Sequence, residues 1–149
     1  MLKRIYSNQI SINVKPELVF KAITKEIDKW WTELSNKINK VGDQLIVHFE
    51  DSTFWKIDVI EFIPNSSIEW YVESANHNLE NLSRKDEWEM TRIKWEINEN
   101  ENGSTLTLIH DGLIPNLECY NICKAGWNYF LGSLKDYLES GKGRPYKKN

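Results

Sequence analysis

The segment from Asn116 to Glu139 constrains the fold more than any other stretch of this chain. Cys119, Tyr120, Cys123, Trp127, Phe130, Leu131, Leu134, Tyr137 and Leu138 fall on one stripe of a helical wheel. Asn121, Lys124, Asn128, Lys135, Asp136 and Glu139 fall on the opposite side. Apolar residues recurring at three- and four-residue spacing mark an amphipathic helix with one buried face. At the usual rise per residue such a helix is about 36 Å long. Gly141 suits a C-terminal cap and Pro145 forbids continuation. A stripe of that length needs a broad apolar surface to lie against.

The preceding residues supply one. Ile10, Ile12 and Val14 alternate with Ser11 and Asn13, the pattern of a half-buried strand. Lys15-Pro16-Glu17 opens a short helix, since proline in the first turn loses no needed hydrogen bond and glutamate suits the positive end. Leu18, Val19, Ala22 and Ile23 give it an inner face, and a second short helical piece ends in Trp30-Trp31. Then come Leu45, Val47 and Phe49, followed by Trp55, Ile57 and Val59, and by Ile68, Trp70 and Val72. Thr91, Ile93, Trp95 and Ile97 alternate next, and Leu106 with Leu108 completes the series. Asp51-Ser52, Pro64-Asn65-Ser66 and Asn98 to Gly103 read as turns between neighbouring strands. Ser74 to Asp86 is polar and without period, hence a long loop. Strands at hairpin spacing argue for an antiparallel sheet. The expected fold is α+β, a curved antiparallel sheet around a long C-terminal helix with two short helices after the first strand. A length of 149 residues fits a single domain over residues 1–149.

Charge and cysteine content narrow the partners and the compartment. A net charge of −3 gives no electrostatic reason to bind nucleic acid or an anionic membrane. Only Lys147-Lys148 clusters basic residues, and that pair reads as a frayed end. Two cysteines are too few for a disulfide scaffold and fit a reducing compartment. Met1-Leu2-Lys3-Arg4 leads into polar Ser7-Asn8-Gln9 with no apolar core of a signal peptide. No apolar run approaches the roughly eighteen residues of a membrane span. The expected location is cytoplasmic.

Seven Trp, six Tyr and five Phe must fill a core or line a cavity. Trp55, Trp70, Trp95, Trp127 and Phe130 face inward, and a sheet curved around one helix leaves space at its open end. Trp30 and Trp31, adjacent on a short helix, are not expected to point inward together. One of them, taken as Trp31, falls at a cavity mouth or on the surface. His110 extends the Leu106–Leu108 face, and Cys119 and Cys123 stand one helical turn apart on the inner stripe. Two thiols with an imidazole could ligate zinc or support nucleophilic chemistry. Equally, the thiols are small buried hydrophobes and His110 makes an ordinary hydrogen bond, the reading adopted here. No metal and no cofactor is therefore expected. Glu118 sits near the helix N-terminus, where its charge is stabilised. Glu89 shares parity with Thr91, Ile93 and Trp95, so it either points inward with a raised pKa or emerges past the sheet edge into water. His48 and His77 read as solvated. Gly126 borders the apolar stripe, where a missing side chain suits close approach to the sheet, and Gly132 falls on the polar face without an evident reason.

Several motifs are familiar together. They are Lys15-Pro16-Glu17-Leu18-Val19-Phe20, the Trp30-Trp31 pair, HDGLIPNLECYNICKAGW from His110 to Trp127, and GKGRP from Gly141 to Pro145. With these the chain resembles the START-like (SRPBCC) superfamily, specifically the activator of heat-shock-protein-90 ATPase homologue family in its single-domain bacterial type. The resemblance implies the helix-grip fold and a cavity between sheet and final helix that binds small apolar molecules in many relatives, with no shared catalytic motif. The expected function is thus non-enzymatic binding of a small hydrophobic or amphipathic molecule. Trp31, Trp55, Trp70, Trp95, His110, Cys119, Cys123, Trp127 and Phe130 are the expected lining. One alternative is a cyclase- or hydrolase-type enzyme using His110 and Glu89 with a water. Another is a co-chaperone or protein-interaction module. The eukaryotic namesakes contact the chaperone through a further N-terminal domain, for which 149 residues leave no room.

Overall fold

Alternating burial builds nearly every strand of the computed structural model, which describes residues 5–50 and 52–148. The sequence readings for Met1–Arg4 and for Asp51 lie outside the described residues. The elements run β1 (Tyr6–Ile12), α1 (Pro16–Lys25), a short 3-10 turn (Ile27–Lys29), β2 (Gln44–His48), β3 (Phe54–Ile63) and β4 (Ser67–Asn76). Then follow β5 (Arg92–Asn100), β6 (Gly103–Asp111) and α2 (Tyr120–Ser140). They form one sheet in the order β1-β6-β5-β4-β3-β2, with every pairing antiparallel. The fold is α+β, as its periodicities require. β4 extends three residues into the stretch read as loop, so the long connection covers 77–91.

One face of the sheet is apolar because inward residues recur every second position. Leu45, Ile57, Val72, Ile93, Leu106 and Leu108 are buried on it, under the stripe of α2 formed by Cys123, Trp127, Leu131 and Leu134. Register shifts at Lys56/Ile57 and Val59/Glu61 interrupt the β3–β4 ladder, and irregularities of this kind sharpen local bend and twist. In α1, Val19, Ala22 and Ile23 point inward together with Phe20, while Leu18 faces out, 48% exposed. Helix α2 begins at Tyr120 rather than Asn116. The residues before it coil through tighter turns, Leu117 N–H to Ile114 O at 3.0 Å and Tyr120 N–H to Leu117 O at 3.1 Å, which leaves Cys119 as the N-cap. At the other end Gly141 takes φ +84° and donates to Tyr137 O at 2.8 Å.

Both Trp30 and Trp31 are buried, which corrects the expectation that the two do not point inward together, and Trp31 is the one that reaches the cavity wall. The helical geometry behind that expectation ends before them, for Trp30 has φ −136° and ψ −24°. Free of a helix, the rings lie face to face, 5.9 Å apart and 12° from parallel, and Trp31 continues the stack onto Trp70 at 6.0 Å and 3°. The C-terminal segment returns across this corner. Tyr146 N–H donates to Trp31 O, and Glu33 N–H donates to Tyr146 O. A Cβ at Gly132 would stand 3.4 Å from the Arg144 guanidinium, an ordinary contact, so packing does not demand a glycine there. Among the described residues, no helix is long and apolar enough to cross a membrane.

Candidate ligand cavity

A half-enclosed cavity of about 220 Å³ opens between the first half of α2, the β2–β3 turn and the 77–91 segment. Its apolar walls are Trp31, Phe49, Trp55, Trp88, Trp127 and Phe130. Glu50, Thr53, His77, Asn78 and Cys123 add polar groups. Of the residues expected to line it, Trp31, Trp55, Cys123, Trp127 and Phe130 do so. Trp70, Trp95, His110 and Cys119 lie outside the lining, packed behind it. Trp70 backs Trp31 face to face, Trp95 meets Trp70 and Trp127 edge-on at 5.4 and 5.7 Å, and His110 stands behind Trp88 and Trp127. Gly126 also corrects its reading. A Cβ there would have nothing within 4 Å, so the missing side chain leaves cavity space rather than permitting close approach to the sheet.

Trp88 is one of the wall residues that sequence reasoning missed, along with Phe49 and His77. It sits in a segment without period, yet its ring stacks on Trp127 at 5.6 Å and 18° and packs 4.7 Å from Trp55. A tryptophan in an otherwise polar long connection was the available signal. Just after it, Met90 adopts φ +67°, which breaks the strand parity that assigned Glu89 to the sheet face. Glu89 instead accepts the Ala75 N–H at 3.1 Å and is half-buried.

His110 is completely buried inside a chain of hydrogen bonds. Trp127 Nε1–H donates to its Nδ1 at 3.0 Å, so the ring proton resides on Nε2 and donates to Thr91 Oγ1 at 2.9 Å. The Thr91 hydroxyl donates onward to Trp88 O at 2.6 Å. Every donor meets an acceptor with the imidazole neutral, and burial holds its pKa down at about 3. A ring with both nitrogens engaged and so low a basicity is no general base near neutral pH. With Glu89 bound to backbone, the acid–base pair named for an enzyme is unsupported by this geometry.

The 77–91 segment is tied to the start of α2 by two reciprocal carboxylates. Glu87 accepts the N–H groups of Glu118 and Cys119 at 3.1 and 3.0 Å. Glu118 accepts the Arg84 N–H at 2.9 Å and the Ser83 hydroxyl, and the Arg84 bond leads the causes that lower its pKa. This clasp carries His77 to the cavity. Its ring packs 5.3 Å from Trp55 and its Nδ1 lies 3.9 Å from Cys123 Sγ, so His77 is a wall residue rather than a solvated one. His48 remains on the exposed outer face.

Residues 13–139 match the family model described as activator of Hsp90 ATPase homolog 1-like protein. The chain belongs to this family. Solved structures similar to this family member include an Aha1 dimer from Colwellia psychrerythraea, at 27% identity and TM-score 0.77, covering 94% of this chain and 99% of that one. A Mesorhizobium loti protein shares 19% identity at TM-score 0.74, over 91% of this chain and 96% of its own. A Staphylococcus saprophyticus protein shares 20% at TM-score 0.72, over 95% and 96%. The last two likenesses show the fold alone. No curated protein matches this chain. The helix-grip architecture expected from the sequence resemblance is the architecture observed.

Proposed function

We propose that this chain binds a small apolar or amphipathic molecule in the cavity beside α2, without chemistry on it. The aromatic cavity itself is the observation that carries the reading. Its volume of about 220 Å³ exceeds the ~150 Å³ that accommodates benzene in an apolar protein cavity. It suits one or two fused rings or a short acyl chain, and a long lipid would have to protrude. Glu50, His77 and Asn78 stand among the walls, so the fitting ligand has an apolar body and a polar end. Two free thiols suit a reducing compartment, and the reading includes a cytoplasmic location.

The test is titration of the native protein with an anilinonaphthalene fluorophore, followed by displacement with small aromatic alcohols and short fatty acids. Gly126→Phe is the diagnostic variant, because its ring projects into space the structure leaves open. We expect the folded variant to bind the probe at least about tenfold more weakly, a change of ~1.4 kcal/mol. Unchanged affinity in that variant means the probe binds elsewhere and the cavity reading fails.

A further inference from the structure

We propose that His77, Cys119 and Cys123 form a binding site for a single thiophilic metal ion, zinc(II) or copper(I). His77 Nδ1 or Nε2 and the two Sγ atoms all lie within 4.8 Å of one another, and the His77 Nδ1–Cys123 Sγ distance is already 3.9 Å. Zinc holds sulfur at about 2.3 Å and imidazole nitrogen at about 2.0–2.1 Å, which places donors in one shell roughly 3.5–3.8 Å apart. Side-chain movements of about an ångström therefore close this triangle on an ion. Two thiolates and an imidazole are the donors that soft and borderline metals select.

Three further features bear on the site independently. The i, i+4 spacing puts both thiols on the same face of the start of α2, with Cys119 as N-cap. Trp88 Nε1–H donates to Cys123 Sγ at 3.1 Å, an outer hydrogen bond of the kind that orients a metal-bound sulfur. The Glu87 and Glu118 clasp fixes the 77–91 segment against the helix start, so the imidazole arrives without ordering a free loop. On binding, each thiol releases its proton to solvent, and two thiolates balance the charge of a divalent zinc ion. Three protein donors leave one position of a tetrahedral ion for a water or for a group entering from the cavity, whose wall includes Cys123 and His77.

The site rests on these three side chains and not on the identity of any cavity ligand. The experiment uses the reduced full chain, stripped of metal and offered zinc(II), cobalt(II) as its spectroscopic stand-in, or copper(I). Uptake is counted by elemental analysis, with circular dichroism as the fold control. The expected result is one ion per chain, with thiolate-to-cobalt charge-transfer absorption in the near ultraviolet. The Cys119→Ala and Cys123→Ala double variant should lose both signals. His77→Ala, in a half-exposed loop position, should weaken binding at least about tenfold while circular dichroism shows the fold intact. Preference for zinc or copper assigns the ion within the proposal. A folded chain that takes up neither, or equal uptake by the double cysteine variant, overturns it.

Discussion

His110 is held by indole, hydroxyl and carbonyl partners that are satisfied only while the imidazole stays neutral. Protonation would place a second donor against the Trp127 N–H and bury a charge. That cost is why burial drives the pKa from 6.5 to about 3. Between those two values the unfolded chain binds more protons than the folded one, so stability falls as the pH is lowered through that window. The loss is absent above about pH 6.5 and reaches at most ~1.4 kcal/mol per pH unit below it. His110→Gln keeps an acceptor and a donor but cannot titrate. Urea denaturation of both proteins at about pH 7 and about pH 5 should show a shallower decline for the variant. Equal slopes would mean that His110 is solvated and that the hydrogen-bond chain is wrongly drawn.

The start of α2 shows how a connection without local pattern can still be a structural part. A helix N-terminus leaves N–H groups unpaired, and here Glu87, more than thirty positions earlier in the chain, takes the N–H of the N-cap Cys119 and of Glu118 before it. Glu87→Ala should cost about 1 kcal/mol, within the ~0.5–2 range for a lost cap. A denaturation midpoint unchanged within error would show that water caps these groups equally well. The same remoteness explains what could be read from sequence. The α2 stripe and the inward strand faces were legible because burial on one side of a regular element writes a period into neighbouring positions. Trp88 and His77 were not, because they reach the cavity through the positive φ of Met90 and through contacts with distant residues, and neither was Glu87, whose partners lie on a remote element. The Trp30-Trp31 pair was misjudged for a related reason, since helical geometry was assumed where the backbone had already departed from it.

The aromatic core is covered differently at the cavity and at the corner beside it. At the cavity, the wall includes Gly126, which withholds a side chain and leaves space beside Trp127. At the adjoining Trp30-Trp31 corner, the chain after α2 folds back over the rings. Tyr146 exchanges backbone hydrogen bonds with Trp31 and Glu33 at 2.9 and 3.0 Å. Arg144 N–H donates to the buried Ser133 hydroxyl at 2.6 Å, and that hydroxyl donates to Trp30 O at 2.8 Å. Gly143 lies so close to Lys29 O that a side chain could not fit between them. The segment is therefore docked, although Lys147 and Lys148 at its end are exposed. A chain ending at Gly141 loses three such hydrogen bonds, each worth a net ~0.5–1.5 kcal/mol, and uncovers part of the indole stack. Its stability should drop by about 2–4 kcal/mol, which a domain with the usual ~5–15 kcal/mol can lose and still fold. The cavity lies among the 77–91 segment, the β2–β3 turn and the first half of α2, so the anilinonaphthalene fluorophore should bind the shortened chain with little change. A drop below about 1 kcal/mol would mean that the returning segment is only loosely attached. Loss of probe binding in a chain that remains folded would mean that the Trp31 wall depends on the strap that covers it.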